Sequence, residues 1–185
     1  ASTINELFIS EYLEGSGNNK CIELYNGTGA TVSMSGYQLV YYFNGSTTPG
    51  LTLNLTGSVA AGDVYVACQS TADPLLTAQA DFLNAGAWFN GDDAVVLVHN
   101  SVQIDIFGRI GEDPGTAWTA AGNSTVDRTL VRNATVLVGN TANAAGFPAL
   151  GTEWTGSALN TFSNIGTHTV NTGGSSAILT VTDVN

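Results

Sequence analysis

The side chains best suited to chemistry are carboxylates that occur in close pairs. Asp92-Asp93 follows a glycine turn, Glu112-Asp113 precedes a Pro-Gly turn, and Glu11 and Glu14 lie near one another. Loop carboxylates beside carbonyl oxygens suit calcium, which takes about six to eight oxygen ligands. Asp92, Asp93, Glu112 and Asp113 are therefore candidate calcium ligands, and calcium is the one cofactor the sequence suggests. No EF-hand or nonapeptide spacing accompanies them. The competing expectation is structural: Asp92 closes its own turn, and Asp93 is solvated or accepts backbone N–H groups.

Hydrolysis would need a nucleophile with a base. The histidines are His99, before an Asn100-Ser101 hairpin turn, and His168, in Gly166-Thr167-His168-Thr169. Neither has a second ligand or a nucleophile at strand or helix spacing, so both read as exposed turn or strand-end residues. No Gly-x-Ser-x-Gly elbow, phosphate loop or His-Glu-x-x-His motif occurs. An enzyme is not expected. Arg109 has Asp105 or Glu112 as an ordinary ion-pair partner. Tyr37, Tyr41, Tyr42 and Phe43 form an aromatic stripe, read either as core with one edge ring or as a platform for carbohydrate or cell-surface contact.

The overall charge narrows the partners. With 4 basic against 15 acidic residues the formal net charge is -11. So few cations release few counterions, which argues against nucleic acid as a partner. An anionic membrane surface would repel the chain, and no apolar run approaches the roughly 20 residues that span a bilayer. Hydrophobic residues at 43% supply enough apolar surface for a core.

Cys21 and Cys68 match in number the needs of one disulfide in an oxidising compartment. Such a bridge would add about 4 kcal/mol in the chain-entropy picture; the alternative is two buried thiols acting as small hydrophobes. The start, Ala1-Ser2-Thr3-Ile4, suits either signal-peptide cleavage or a trimmed chain, and a secreted, extracellular or cell-surface location, in a bacterium, is the expectation. Asn-x-Ser/Thr sequons at Asn26, Asn44, Asn54, Asn123 and Asn133 fit surface loops.

Positioning these residues falls to short strands. Leu51, Leu53 and Leu55 alternate with Thr52, Asn54 and Thr56, and Ile104 and Ile106 flank Asp105. Val95-Val96-Leu97-Val98 is apolar on both faces, as in a central strand. Segments 7–13, 20–25, 37–43 and 64–69 add further strands, separated by Asn-Gly, Ser-Gly and Gly-Asp turns. This spacing predicts an all-β sandwich or barrel. Asp73-Pro74 followed by helix formers predicts one short helix near 73–81, bridging the two sheets. Trp118, Phe147 and Trp154 are expected to pin the irregular 111–151 stretch.

Several blocks resemble a known family. Ile9-Ser10-Glu11-Tyr12, Asn19 through Asn26, Ser35-Gly36-Tyr37-Gln38-Leu39, Ala61 through Val66 and Asn90 through Leu97 are similar to lamin tail domains of the bacterial secreted kind. Ile104 through Gly108, Asp113 through Trp118 and Thr129 through Arg132 follow in the same order, extending the likeness over about residues 4–170. The resemblance implies an immunoglobulin-like β-sandwich acting as an accessory or interaction module. In this family such a domain often precedes the catalytic part of extracellular nucleases and phosphatases.

The expected organisation is a sandwich over 1–170, a linker over 171–176 and a strand over 177–185. Beyond the Gly-Gly-Ser-Ser tether, Ile178, Leu179, Thr180, Val181, Thr182 and Val184 form a strand without an obvious partner. Leu179 and Val181 would share one face; Ile178, Thr180, Thr182 and Val184 the other. Pairing within its own sandwich, insertion into another copy and continuation into a further domain are the three fates open to it. The function expected is a non-catalytic module that associates with copies of itself through this strand, giving a filament or surface array. The alternative is the N-terminal accessory domain of a secreted nuclease or phosphatase.

Overall fold

Alternation of apolar and polar residues carries most of the chain into short strands in a computed structural model, which describes residues 4–173. In chain order these are β1 (Phe8–Glu14), β2 (Lys20–Tyr25), β3 (Val32–Ser33), β4 (Tyr37–Tyr42), β5 (Leu51–Asn54), β6 (Ser58–Val59) and β7 (Val64–Gln69). A single helical turn, α1 (Pro74–Thr77), leads to β8 (Phe82–Asn84), β9 (Ala94–His99) and β10 (Val102–Phe107). The two-residue strands β11 (Thr119–Ala120) and β12 (Asn123–Ser124) precede β13 (Arg128–Arg132) and β14 (Trp154–Ser157). The larger sheet runs β14-β13-β1-β2-β7-β8 and the next β10-β9-β4-β5, while β3 with β6 and β11 with β12 form two-stranded ladders. The first two sheets face each other as an immunoglobulin-like β-sandwich.

The core between the sheets takes the inward residues of both. Leu7, Ile9, Tyr12, Ile22, Leu24 and Tyr65 meet Leu39, Tyr41, Leu53, Val95, Leu97 and Phe107. Tyr12 stacks between Phe89 and Phe107, with ring centroids 4.5 and 4.0 Å away. Phe107 also meets Phe147 and Trp154 edge-on, and Trp118 packs against Phe147. Those rings hold the long loops between β10 and β14 against the sandwich. Aromatic pairs of this kind add about 0.5–1.5 kcal/mol each beyond their buried area.

A second cluster lies on the outer face of the six-stranded sheet, where Phe8, Leu13, Cys21, Tyr25, Val66 and Cys68 are covered by Leu76 and Ile165. Phe162 and Val170 pack on the same cluster, so the segment after β14 acts as a strap across this face. Every residue of β1, β2 and β7 is therefore buried, including Ser10, Glu11 and Glu23.

The helix is shorter than the sequence predicts and does not bridge the sheets. Asp73 caps it through Leu75 N at 2.9 Å, with Pro74 at its first position. It stops because Asp81 N donates to Val66 O (2.8 Å), drawing the chain into β8, parallel to β7 in the same sheet. At the other end, Asn171, the first residue of the expected linker, donates its N–H to Ala134 O at 2.6 Å. The expected strand 177–185, with Ile178, Leu179, Thr180, Val181, Thr182 and Val184, lies outside the described residues, as does the linker beyond Gly173.

Candidate functional site

Asp93, Glu112 and Asp113 each accept hydrogen bonds that hold loops and turns. Gly91 has φ of +112° and packs beneath Val126, a conformation that L side chains rarely adopt, and it delivers Asp92 and Asp93 to the end of β9. Asp93 accepts Asn44 N at 2.8 Å and Asn90 N at 3.1 Å. Burial, with the Asp92 charge behind it, pushes Asp93 up to about 6 against those two hydrogen bonds. Burial likewise raises Asp92, and the charge of Asp113 adds to it. Asp113 accepts Gly115 N at 2.7 Å, closing its own turn.

Glu112 has three donors of its own. Arg109 donates to it at 2.6 Å, Trp118 Nε1 at 2.9 Å and Gly146 N at 3.1 Å, and these partners hold its carboxyl below the ordinary range. Of the four candidate ligands, Asp93, Glu112 and Asp113 thus accept hydrogen bonds from the chain's own donors. Among the described residues no group of three or more His, Cys, Asp or Glu side chains is placed to hold a metal.

Both histidines are half-buried: His99 stands at the expected hairpin turn but is not exposed, and His168 lies outside any strand. His99 ends β9, just before Asn100 and Ser101, both at positive φ as a two-residue hairpin turn requires. Its ring stacks on Tyr37 at 3.9 Å, and Nδ1 lies 2.7 Å from Glu6 Oε2. Tyr37 Oη donates to the other oxygen of the same carboxylate. This clasp ties residue 6 to β4 and β9. His168 meets Tyr25 and Phe8 edge-on at 5.2 and 5.8 Å. Burial, helped by the Arg132 charge, lowers it to about 4, and its Nε2 has no partner. His168 and Arg132 line a cleft of about 370 Å³ together with Asn133, Thr155, Ser157, Asn164 and Thr167, so the ring and the guanidinium stand there among amides and hydroxyls.

Two buried charged groups have no counterpart in the sequence reading. Arg132, paired there with nothing, donates to Asp105 at 2.8 Å and to Glu153 at 2.6 Å. Asp105 also accepts Ile9 N and Asn140 N, both at 2.8 Å, so this carboxylate joins β10 to β1 and to the 139–143 loop. Arg109 consequently pairs with Glu112 alone of its two expected partners. The second group is Glu11 with Glu23, directly opposite each other on β1 and β2 and hence on one face. Glu23 is satisfied by Ser10 Oγ at 2.7 Å and Gly166 N at 2.7 Å, whereas both oxygens of Glu11 are buried without partners. Burial first, and the neighbouring Glu23 second, push Glu11 up to about 9; burial pushes Glu23 up to about 7. At neutral pH Glu11 is a neutral acid.

Cys21 and Cys68 face each other across β2 and β7 and are joined as a disulfide. In the aromatic stripe Tyr37 and Tyr41 are buried, and Tyr42 and Phe43 are half-buried, which leaves no row of exposed rings there.

The sheet edges are the remaining places where backbone groups are offered to a partner. On the β10 edge, Ile106 N donates to Asn140 O, and a Cβ at Gly139 would run into Ile104 O, so the 139–143 loop covers it. On the β14 edge the Asn123 side chain imitates a strand, donating to Trp154 O at 2.8 Å and accepting Gly156 N at 3.0 Å. The β5 edge differs. Leu55 N donates to Tyr37 O, so ladder alternation turns the N–H and C=O groups of Thr52 and Asn54 away from β4. Both residues are exposed. No charged residue lies between Tyr42 and Asp63, so the charges that usually protect an edge strand are missing.

Comparison with protein families matches the Lamin Tail Domain over residues 1–111. The match ends just beyond β10, yet β13 and β14 complete the same six-stranded sheet. No curated protein matches the chain.

Proposed function

The chain belongs to the lamin tail domain family, a family of structural immunoglobulin-like modules, and from that premise we propose that it is a non-catalytic extracellular subunit. It associates with copies of itself through residues 177–184, building a filament or surface array. The observation that carries this reading is an uncharged sheet edge at β5 in a chain that also has a second, strongly strand-forming segment after a Gly-Gly-Ser-Ser tether. Strand addition satisfies both at once: backbone hydrogen bonds give affinity and alternate side chains give specificity. A surface built from Thr, Ser, Asn and Gly keeps local repulsion low, while the net charge of -11 keeps the subunits soluble. The engagement of His99, His168, Glu112 and Asp93 in packing and turns fits a scaffold better than an active site.

Removal of residues 174–185 tests the reading, because it deletes none of the contacts described above. The full chain is expected to sediment as oligomers and the shortened chain as a folded monomer. Unchanged sedimentation of the shortened chain would overturn self-association through the tail and favour the accessory-module alternative.

A further inference from the structure

We infer that β5 is the acceptor strand, and that it accepts residues 177–184 from a second copy, never from its own chain. This rests on the self-association reading and adds to it both the docking edge and the reason that pairing is intermolecular.

Reach decides the second point. Asn171 is fixed beside Ala134 by its 2.6 Å hydrogen bond, and Ala134 lines the same cleft as Thr155 and Ser157 of β14. The chain therefore leaves the sandwich on the β13–β14 side. Six peptide steps separate Asn171 from Ala177, and they extend at most about 21 Å. A strand added beyond β8 lies five strand spacings from β13, about 24 Å at 4.8 Å each. The β5 edge is further still. It lies in the opposite sheet, about 10 Å deeper, and on the far side: Tyr65 of β7 donates to Thr56 O just beyond β5 at 2.7 Å, and Leu51 packs beside Gly86. The near edges, β14 and β10, are the two already covered by Asn123 and by the 139–143 loop.

Chemistry decides between the two distant edges of a neighbouring copy. β8 is three residues long, runs parallel to β7 and directly follows the charged Asp81. β5 has four residues and extends through Leu55 and Thr56 without a charge. Its Thr52 and Asn54 stand ready to pair with the threonines at 180 and 182, a favourable class of cross-strand pair. Copies that each carry -11 meet at the segment with least charge. The arrangement is head-to-tail, since donor and acceptor are different surfaces, and it propagates without closing unless the rotation makes a ring.

The test uses two classes of full-length variant. Thr52→Pro removes an outward N–H at an edge position where proline is tolerated, and Thr52→Lys/Asn54→Lys charges the same edge through exposed side chains without altering backbone bonding. Leu179→Asp/Val181→Asp disables the donor. Sedimentation and circular dichroism are expected to show each variant as a folded monomer, and an acceptor-disabled chain mixed with a donor-disabled chain as a 1:1 heterodimer. Assembly of both edge variants with loss of assembly in the donor variant would overturn β5 while leaving the self-association reading standing. Assembly of the donor variant, or a monomeric wild type, would overturn both.

Discussion

Replacing Glu11 by Gln should make the protein more stable in alkali and slightly less stable in acid. Glu11 is 1% exposed, faces Glu23 across the β1–β2 ladder, and finds no donor for either oxygen. Its pKa rises from an ordinary 4.5 to about 9. A carboxyl with a raised folded-state pKa gives its full stabilisation below the unfolded value and loses it as pH climbs toward the folded one. Between those limits the folded protein must keep a proton that the unfolded chain releases, which costs about 1.4 kcal/mol per pH unit. The cost is about 3 kcal/mol at pH 7 and about 6 kcal/mol at pH 9. Against a typical domain stability of about 5–15 kcal/mol this is a large fraction. Gln has nearly the same shape and no proton to lose, but leaves an unpartnered amide that costs about 1–3 kcal/mol at every pH. Urea denaturation at pH 5, 7 and 9 should therefore show two curves that cross. Wild type falls steeply with pH, and Glu11→Gln, retaining only the shallower dependence of Glu23, lies above it at pH 9. No free cysteine is present to exchange at the alkaline end. Parallel curves, or a variant weakest at pH 9, would refute the argument.

Other substitutions probe separate parts of the account. Cys21→Ala/Cys68→Ala opens a loop with a sequence separation of 47; it should cost about 4 kcal/mol in urea denaturation, and a loss under 1 kcal/mol would contradict this. Arg132→Met leaves Asp105 buried without its cation and should cost about 3–5 kcal/mol. Adding Asp105→Asn should recover part of that loss, and no recovery would count against the pairing. His168, lowered to about 4, stays neutral in the fold. Its contribution is present above the unfolded value near 6.5 and is lost as pH falls toward 4, so its NMR titration midpoint should lie well below 6.5; an ordinary midpoint would refute its burial.

Period-two alternation was a sound guide to β5, where Leu51, Leu53 and Leu55 face the core, whereas at β10 a register shift between Gln103 and Asp105 breaks it, so that Ile104 packs on the core and Ile106 joins Val40 and Val96 on the outer face. It could not anticipate the strap formed by residues near 158–170, whose contacts with β1 and β2 span more than a hundred residues of chain. That strap lies over the face of β1 and β2 on which Glu11 and Glu23 are buried. The same distance hides the Arg132–Asp105 pair: Arg109 is the nearer cation in sequence, but β13 lies beside β1, whose Ile9 N reaches Asp105 from the opposite sheet, and this brings Arg132 instead. The histidines were misjudged because stacking on Tyr37 and packing on Phe8 and Tyr25 depend on strand register, which their immediate neighbours do not encode. Helix formers after Pro74 mark α1 correctly at its start, and its early end follows from Asp81 joining Val66. For calcium the sequence offers adjacent loop carboxylates without a recognised ligand spacing, and in the fold Arg109, Trp118 and Gly146 donate to one of them, Glu112.

Hydrogen exchange at the backbone amides of Thr52 and Asn54 in assembled full-length protein addresses intermolecular strand addition most directly. These two N–H groups should exchange slowly in the assembly and fast once residues 174–185 are removed. Fast exchange at both positions in assembled material would contradict it.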